Sequence, residues 1–230
     1  MVLQKIPTGC NSIDRILEGG LPSGSISLIY GEAETGKTTL ATQCTVNCAL
    51  QGYKTLFVDC DSMFSARRLS QIGGKNFEKI SELIILMKPN SFREQATVID
   101  QLAGYVTKNF GLIVIDTITS LYRLRVAELP SKTFELNREL NRQLASLAQY
   151  ARTSKIAVIL TSQVRSTLGE ASVDVVPVAT RVLKFWADVI IELKHAGNSQ
   201  LIIANLEKSP ANASQISCNL KIVESGIHEC

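Results

Sequence analysis

The chain has 230 residues, 45% of them hydrophobic, and is therefore long and apolar enough to build one large buried core. Its formal net charge of +3 requires neither a nucleic acid nor a membrane surface as a global partner, so any DNA contact has to be local. No apolar run approaches the ~18 residues that a membrane helix needs, and the N-terminal stretch MVLQKIPTGC lacks the apolar centre of a signal peptide. These features predict a cytoplasmic protein without a membrane partner.

Strand-like apolar runs recur along the first two thirds of the chain. They cover residues 25–30, 54–58, 83–87, 112–115 and 156–160. The last three runs are almost wholly apolar, which predicts buried strands of a parallel sheet.

Helical patterns fill most of the intervals between these runs. They cover residues 39–50, 65–72, 91–108 and 133–152. Residues 164–180 show no clear period and are predicted to form a long loop. Three segments of alternating apolar and polar residues then indicate an antiparallel section, namely residues 188–194, 200–206 and 218–223.

Alternation of strands and helices predicts an α/β fold, with a mostly parallel central sheet and helices on both of its faces. The antiparallel section would extend this sheet at the C-terminal end. No linker or internal repeat interrupts the pattern, so residues 1–230 are expected to form a single core domain.

Residues 31–38 read Gly-Glu-Ala-Glu-Thr-Gly-Lys-Thr, which is the G-x-x-x-x-G-K-[ST] pattern of a phosphate-binding loop, or P-loop. The alternative is a chance match in a glycine-rich turn, but a predicted strand and helix flank the pattern on the expected sides. Lys37 would reach the β- and γ-phosphates of ATP, and the Thr38 hydroxyl would bind Mg²⁺. The predicted nucleotide-binding residues here are Gly31, Glu32, Ala33, Glu34, Thr35, Gly36, Lys37, Thr38 and Thr39.

Polar side chains follow three other predicted strands. Asp116 follows the run LIVI and is expected to hold Mg²⁺ opposite Thr38. Asp61 is the candidate for orienting the attacking water, on a strand expected to neighbour the P-loop strand, and Asp59 is its competitor. Gln163 follows IAVILTS and would contact the γ-phosphate. Six cysteines without a CxxC and two histidines do not have the spacing of a zinc site.

Basic residues cluster around the segments after the strands at 112–115 and 156–160. They are candidates for contacting DNA phosphates without sequence preference. The residues are Arg123, Arg125, Arg165, Arg181 and Lys184. The competing interpretation is a solvated surface whose charge is balanced by neighbouring glutamates.

With these residues placed, the chain resembles the RecA family, and within it the short archaeal paralogues of the recombinase RadA. The similarity runs through the segments PTGCNSIDRILEGGLPSGSISLIYGEAETGKTTLATQ, LFVDCDSMFSARRL, LIVIDTITSLYR and ILTSQV. It implies an ATPase core that uses ATP and Mg²⁺, acts in DNA repair and recombination, and has Lys37, Asp61 and Gln163 as its catalytic residues. It also implies that Arg68 contacts the adenine.

Departures from the family pattern imply a restricted activity. Asp61 stands where the efficient ATPases have glutamate, and a water displaced by ~1 Å can cost on the order of 10²-fold in rate. The core motifs begin close to Met1, so we expect the helix-hairpin-helix domain and the polymerisation linker of RadA to be missing.

The resulting expectation is an accessory protein that binds ATP, DNA and a RadA-like recombinase or other recombination proteins. It would be a weak ATPase without strand exchange of its own, and the sequence leaves a homodimer open. The alternatives are a full strand-exchange recombinase and a KaiC-like signalling ATPase.

Overall fold

The structure is a computed structural model that describes residues 3–107, 109–164, 178–210 and 216–230. The strands are β1 (Lys5–Ile6), β2 (Leu21–Pro22), β3 (Ile26–Gly31), β4 (Lys54–Asp59), β5 (Ile84–Met87), β6 (Phe110–Asp116), β7 (Ala157–Gln163), β8 (Val189–Ala196), β9 (Asn198–Lys208), β10 (Ile216–Val223) and β11 (Gly226–Glu229). The helices are α1 (Asn11–Ile16), α2 (Lys37–Leu50), α3 (Ala66–Gly73), α4 (Phe77–Ser81), α5 (Phe92–Asp100), α6 (Leu102–Tyr105), α7 (Ser120–Glu128), α8 (Thr133–Ser154) and α9 (Val178–Trp186).

Nine of the described strands form one sheet in the order β11-β10-β9-β8-β3-β7-β6-β4-β5. The strands from β8 to β5 run parallel to one another. Strands β9, β10 and β11 continue the sheet in antiparallel fashion beyond β8. The predicted mostly parallel sheet with a C-terminal antiparallel section is therefore confirmed.

Alternate residues of the central strands enter two separate cores, one on each face of the sheet. Leu28 and Leu160 pack with the apolar sides of α5 to α9. Ile29 and Ile159 point the other way and pack with α1 and α2. Burial on both faces explains why these strands read as unbroken apolar runs.

Strand β5 departs from the prediction of a buried strand. It lies at the edge of the sheet and pairs with β4. Ile85 and Leu86 keep 37% and 39% of their surface exposed. The prediction of burial was wrong because an apolar run does not reveal whether other elements cover the strand.

Two other predicted elements also differ. The helix predicted over 91–108 is divided into α5 and α6, because Gln101 leaves the helical conformation between them. The loop predicted over 164–180 is wrong for its last three residues, since α9 begins at Val178; residues 165–177 lie outside the described part of the chain.

The strand order places the polar strand ends. Strands β3, β4, β6 and β7 are parallel and end at Gly31, Asp59, Asp116 and Gln163. These four residues therefore lie together along the carboxyl ends of the strands. The expectation that the strand before Asp61 neighbours the P-loop strand was wrong, since β7 and β6 lie between β4 and β3.

Candidate nucleotide site

The P-loop connects β3 to α2, and its two glycines occupy positions where other residues would not fit. A Cβ on Gly31 would lie 2.1 Å from the carbonyl oxygen of Leu193 in the neighbouring strand. Gly36 has a φ of +86°, in the left-handed region that favours glycine. Helix α2 begins at Lys37, so the loop leads directly into a helix N-terminus with free amide groups.

Lys37 is buried to 7% exposure and its ammonium group donates to the carbonyl oxygen of Glu32. Burial lowers the pKa of Lys37 to about 8, although the negative charges of Asp116, Asp61 and Glu32 work against this shift. A cation held in a poorly solvated site interacts strongly with a phosphate group. The arrangement is suited to a ligand that carries negative charge.

Asp116 ends β6 with only 1% of its surface exposed. Its Oδ1 accepts a hydrogen bond from the Thr161 hydroxyl, whereas its buried Oδ2 has no hydrogen-bond partner. Burial raises the pKa of Asp116, opposed by the hydroxyl groups of Thr161 and Thr38. An unsatisfied buried carboxylate oxygen near a threonine hydroxyl fits a hard cation such as Mg²⁺.

A magnesium ion at this place would depend on the nucleotide for further ligands. In the described ranges, no group of three or more His, Cys, Asp or Glu side chains could hold a metal. Mg²⁺ commonly binds one or two protein groups together with phosphates and water. Thr38 and Asp116 therefore fit a nucleotide-borne Mg²⁺ better than a resident metal centre.

Asp59 has a structural role rather than a place in the site. It is fully buried, and its two carboxylate oxygens accept hydrogen bonds of 3.0 Å from the backbone amides of Met63 and Phe64. Lys88, just after β5, lies 3.5 Å from the same carboxylate. Asp59 therefore shapes the turn that follows β4.

Asp61 stands on that turn with its side chain exposed. Its carboxylate accepts a hydrogen bond of 2.9 Å from the Thr117 hydroxyl, directly after Asp116. Its charge also acts on Lys37. Of the two competing aspartates, only Asp61 is both accessible and close to the P-loop lysine.

Gln163 reaches the P-loop through the sheet. It pairs with Gly31 across β3 and β7, and the amide of the next residue, Val164, donates to the Gly31 carbonyl over 3.1 Å. The guanidinium of Arg123 donates to the Gln163 carbonyl. The end of β7 therefore links Arg123 of α7 to Gly31, the first glycine of the P-loop.

Arg68 lies on α3 and donates a hydrogen bond of 2.9 Å to the carbonyl oxygen of Glu224. Glu224 belongs to the turn of the β10–β11 hairpin. Ile222 and Ile227 of this hairpin lie 3.0 Å from where a Cβ on Gly36 would be. The hairpin thus packs against the P-loop, a contribution that the alternating pattern of its sequence did not reveal.

Gln43 was also missed. Its buried amide donates to the carbonyls of Thr8 and Ile227 over 2.9 and 3.1 Å, and accepts from the Ile227 amide over 2.7 Å. The P-loop helix is thereby tied to an N-terminal segment and to β11. The sequence offered no distinct signal for it, because α2 also contains the polar residues Thr42, Thr45 and Asn47.

Lys184 is already engaged within the protein. Its ammonium group lies 2.7 Å from the Glu207 carboxylate and donates to the Tyr30 hydroxyl over 2.8 Å. It also sits 4.4 Å from the centre of the Tyr30 ring. These contacts anchor α9 to the sheet and argue against Lys184 as a DNA contact.

The other predicted DNA-binding residues fall into three groups. Arg125 and Arg181 are exposed, Arg125 within 2.8 Å of Glu128. Arg123 is held by the Gln163 carbonyl. Arg165 lies outside the described residues.

A P-loop after the central strand of a mostly parallel sheet, with a buried carboxylate at the end of β6, defines a P-loop protein with a RecA-like core. A sequence profile of the Rad51 family matches residues 1–230. The chain therefore belongs to the Rad51 family.

Relatives with similar sequences cover nearly the whole chain. A protein of Methanobrevibacter smithii named DNA repair and recombination protein RadB is 34% identical over 227 residues, covering 97% of this chain and 95% of that protein. The protein of the same name from Methanocaldococcus jannaschii is 34% identical over 217 residues, covering 94% and 98%. A crystal structure of the RadB recombinase superposes with a TM-score of 0.82 at 33% identity, covering 98% and 99% of the two chains.

None of the helices in the part of the chain that the structure describes is long and apolar enough to cross a membrane.

Proposed function

We propose that this chain acts in DNA repair and homologous recombination as an ATP-binding accessory protein, working as one core domain. The observation that carries the ATP-binding part is the unpartnered Asp116 oxygen beside a complete P-loop. The names of its relatives support the role in recombination. Titration calorimetry with ATP, in the presence and absence of Mg²⁺, tests the proposal, and we expect saturable binding that weakens without Mg²⁺.

Each residue of the site would have a separate task. Mg²⁺ supplies charge neutralisation for the phosphates, and Thr38 and Asp116 are the residues that would hold it. Lys37 would leave the Glu32 carbonyl to contact the phosphates. This carbonyl oxygen would still accept a hydrogen bond of 2.9 Å from the Thr35 hydroxyl, so it would not be left without a donor.

Asp61 would orient water for hydrolysis, and its short side chain makes slow turnover the expected outcome. We expect Asp61→Asn to reduce hydrolysis further with little change in ATP affinity, because the residue orients water rather than holding phosphate. Asp61→Glu should raise the rate by up to ~10²-fold if the position of the water is limiting. Steady-state phosphate release, with and without DNA, gives the rates.

The two substitutions control for each other, since they change charge and length separately at one position. A fast, DNA-stimulated ATPase in the unmodified protein would contradict the assignment of a weak activity.

DNA binding is proposed for the surfaces that carry two exposed basic residues, Arg125 on α7 and Arg181 on α9. Replacing Arg125 and Arg181 with glutamine should make the dependence of log affinity on log salt about 0.7 units shallower for each single-strand phosphate that the protein no longer neutralises. Fluorescence anisotropy with a labelled single strand at several salt concentrations measures this slope.

Arg152→Gln is a matched control, because Arg152 is 61% exposed and lies near the end of α8, where the parallel strands begin rather than where they end. An unchanged slope in the double variant, or an equal change in the control, would remove these surfaces from the proposal.

The partner is proposed to be a RadA-like recombinase that docks on β5. This strand is supported as a docking site by its place at the edge of the sheet that the described residues form, and by the exposed Ile85 and Leu86. An extended segment of the partner could add to the edge through backbone hydrogen bonds. A full strand-exchange recombinase is the second candidate, favoured by the name of the solved relative.

A further inference from the structure

His195 connects β8 to the apex of the P-loop. Its Nε2 lies 2.9 Å from the carbonyl oxygen of Ala33. A carbonyl oxygen only accepts hydrogen bonds, so Nε2 carries a proton and donates it to this contact. No step of the function proposed above uses His195.

The backbone at His195 is held from two sides, whereas its side chain is exposed. Strand β8 pairs in parallel with β3 as far as Gly31 and Leu193, where the two backbones approach closely. It then continues beyond the start of the loop, and His195 pairs with Ile202 of β9. The imidazole is therefore carried alongside the loop by the sheet itself.

The contact controls the direction of one peptide plane. A trans peptide is planar, so the carbonyl of Ala33 and the amide N–H of Glu34 point in opposite directions. Glu34 has a φ of +61°, a conformation that non-glycine residues seldom adopt without support. A donor that holds the Ala33 carbonyl on the β8 side turns the Glu34 amide away from β8.

We propose that His195 is a positioning residue of the nucleotide site, which presents the Glu34 amide to a phosphate oxygen by holding the Ala33 carbonyl. Backbone amides of the loop are the groups that bind phosphate in this motif. The inference rests on the proposed ATP binding and adds a residue from outside the motif to it.

The test compares His195→Ala with His195→Gln, which keeps an N–H donor on a side chain of similar reach. We expect the alanine variant to bind ATP·Mg²⁺ about 2- to 12-fold more weakly, the range that one net hydrogen bond accounts for. The glutamine variant should recover most of this loss. Lys79→Ala, an exposed change on α4, is the control and should not affect affinity.

A spectroscopic measurement separates positioning from general stability. With ¹⁵N-labelled histidine, ATP should shift the ring signals of His195 more than those of His228, the other histidine of the chain. Equal ATP affinity of His195→Ala and the unmodified protein, or failure of glutamine to restore affinity, would overturn this inference alone. Absence of ATP binding by the unmodified protein would overturn the proposed function as well.

Discussion

Lys37→Ala is expected to abolish the stabilisation that ATP gives to this protein. ATP·Mg²⁺ at about 100 times its Kd should stabilise the unmodified fold by roughly 2.7 kcal/mol. The variant loses the buried cation that is proposed to contact the phosphates, so the same ATP concentration should leave its melting temperature almost unchanged. Thermal unfolding with and without ATP measures the difference.

The variant should remain folded without nucleotide, because the Glu32 carbonyl keeps the Thr35 hydroxyl as a donor. The folded-state pKa of Lys37, about 8, lies below its usual 10.5, so the cost of burying the charge is present below pH 8 and disappears as the pH rises toward 10.5. The free energy of unfolding should therefore rise between pH 8 and pH 10.5, and this part of the rise should be missing in Lys37→Ala.

Lys79→Ala, an exposed change on α4, serves as the control for the ATP effect. A full ATP effect in Lys37→Ala would show that the site is misplaced.

Charged residues on β5 are expected to prevent docking of the recombinase partner. A peptide that copies the linker of a RadA-like recombinase should bind the unmodified protein saturably. Ile85→Asp together with Leu86→Asp should weaken this binding at least about 10-fold, because the apolar side chains that flank the free edge become charged. Anisotropy of a labelled peptide gives the affinities.

Phe185→Asp is the matched control, since Phe185 is 73% exposed on α9, which packs against β3, and three strands separate β3 from β5. Electron microscopy with ATP and single-stranded DNA should show no helical filaments of this protein alone. Such filaments would favour the full recombinase instead, whereas no peptide binding would contradict docking on β5.

Local sequence was sufficient for the parts of the site that depend on neighbouring residues. The position of the P-loop between strand and helix follows from residues close together in the chain, and the structure has it there. The buried strand before Asp116 was also predicted from its own composition and is confirmed.

Strand order was not accessible in the same way. Strand β4 follows β3 in the chain but is separated from it in the sheet, because β7 and β6 are inserted between them. Nothing in either strand specifies which strand will be its neighbour. The same limit applies to Lys184, whose partners Tyr30 and Glu207 are 154 and 23 residues away.

Burial was predicted less reliably than strand character. Strand β5 and the central strands are similarly apolar, yet Ile85 and Leu86 remain partly exposed. Apolar composition indicates that covering a surface lowers the free energy of the system. It does not indicate whether the covering group belongs to the same chain or to another.

The buried amide of Gln43 has a consequence for biosynthesis. Its partner Ile227 lies 184 residues further along the chain, so the P-loop helix cannot complete its contacts until Ile227 has left the ribosome. Chains emerge at about 5–20 residues per second, so the nascent P-loop segment would wait on the order of ten seconds or more for β11. A chain arrested in translation before this point would carry the P-loop sequence without the packing that supports it.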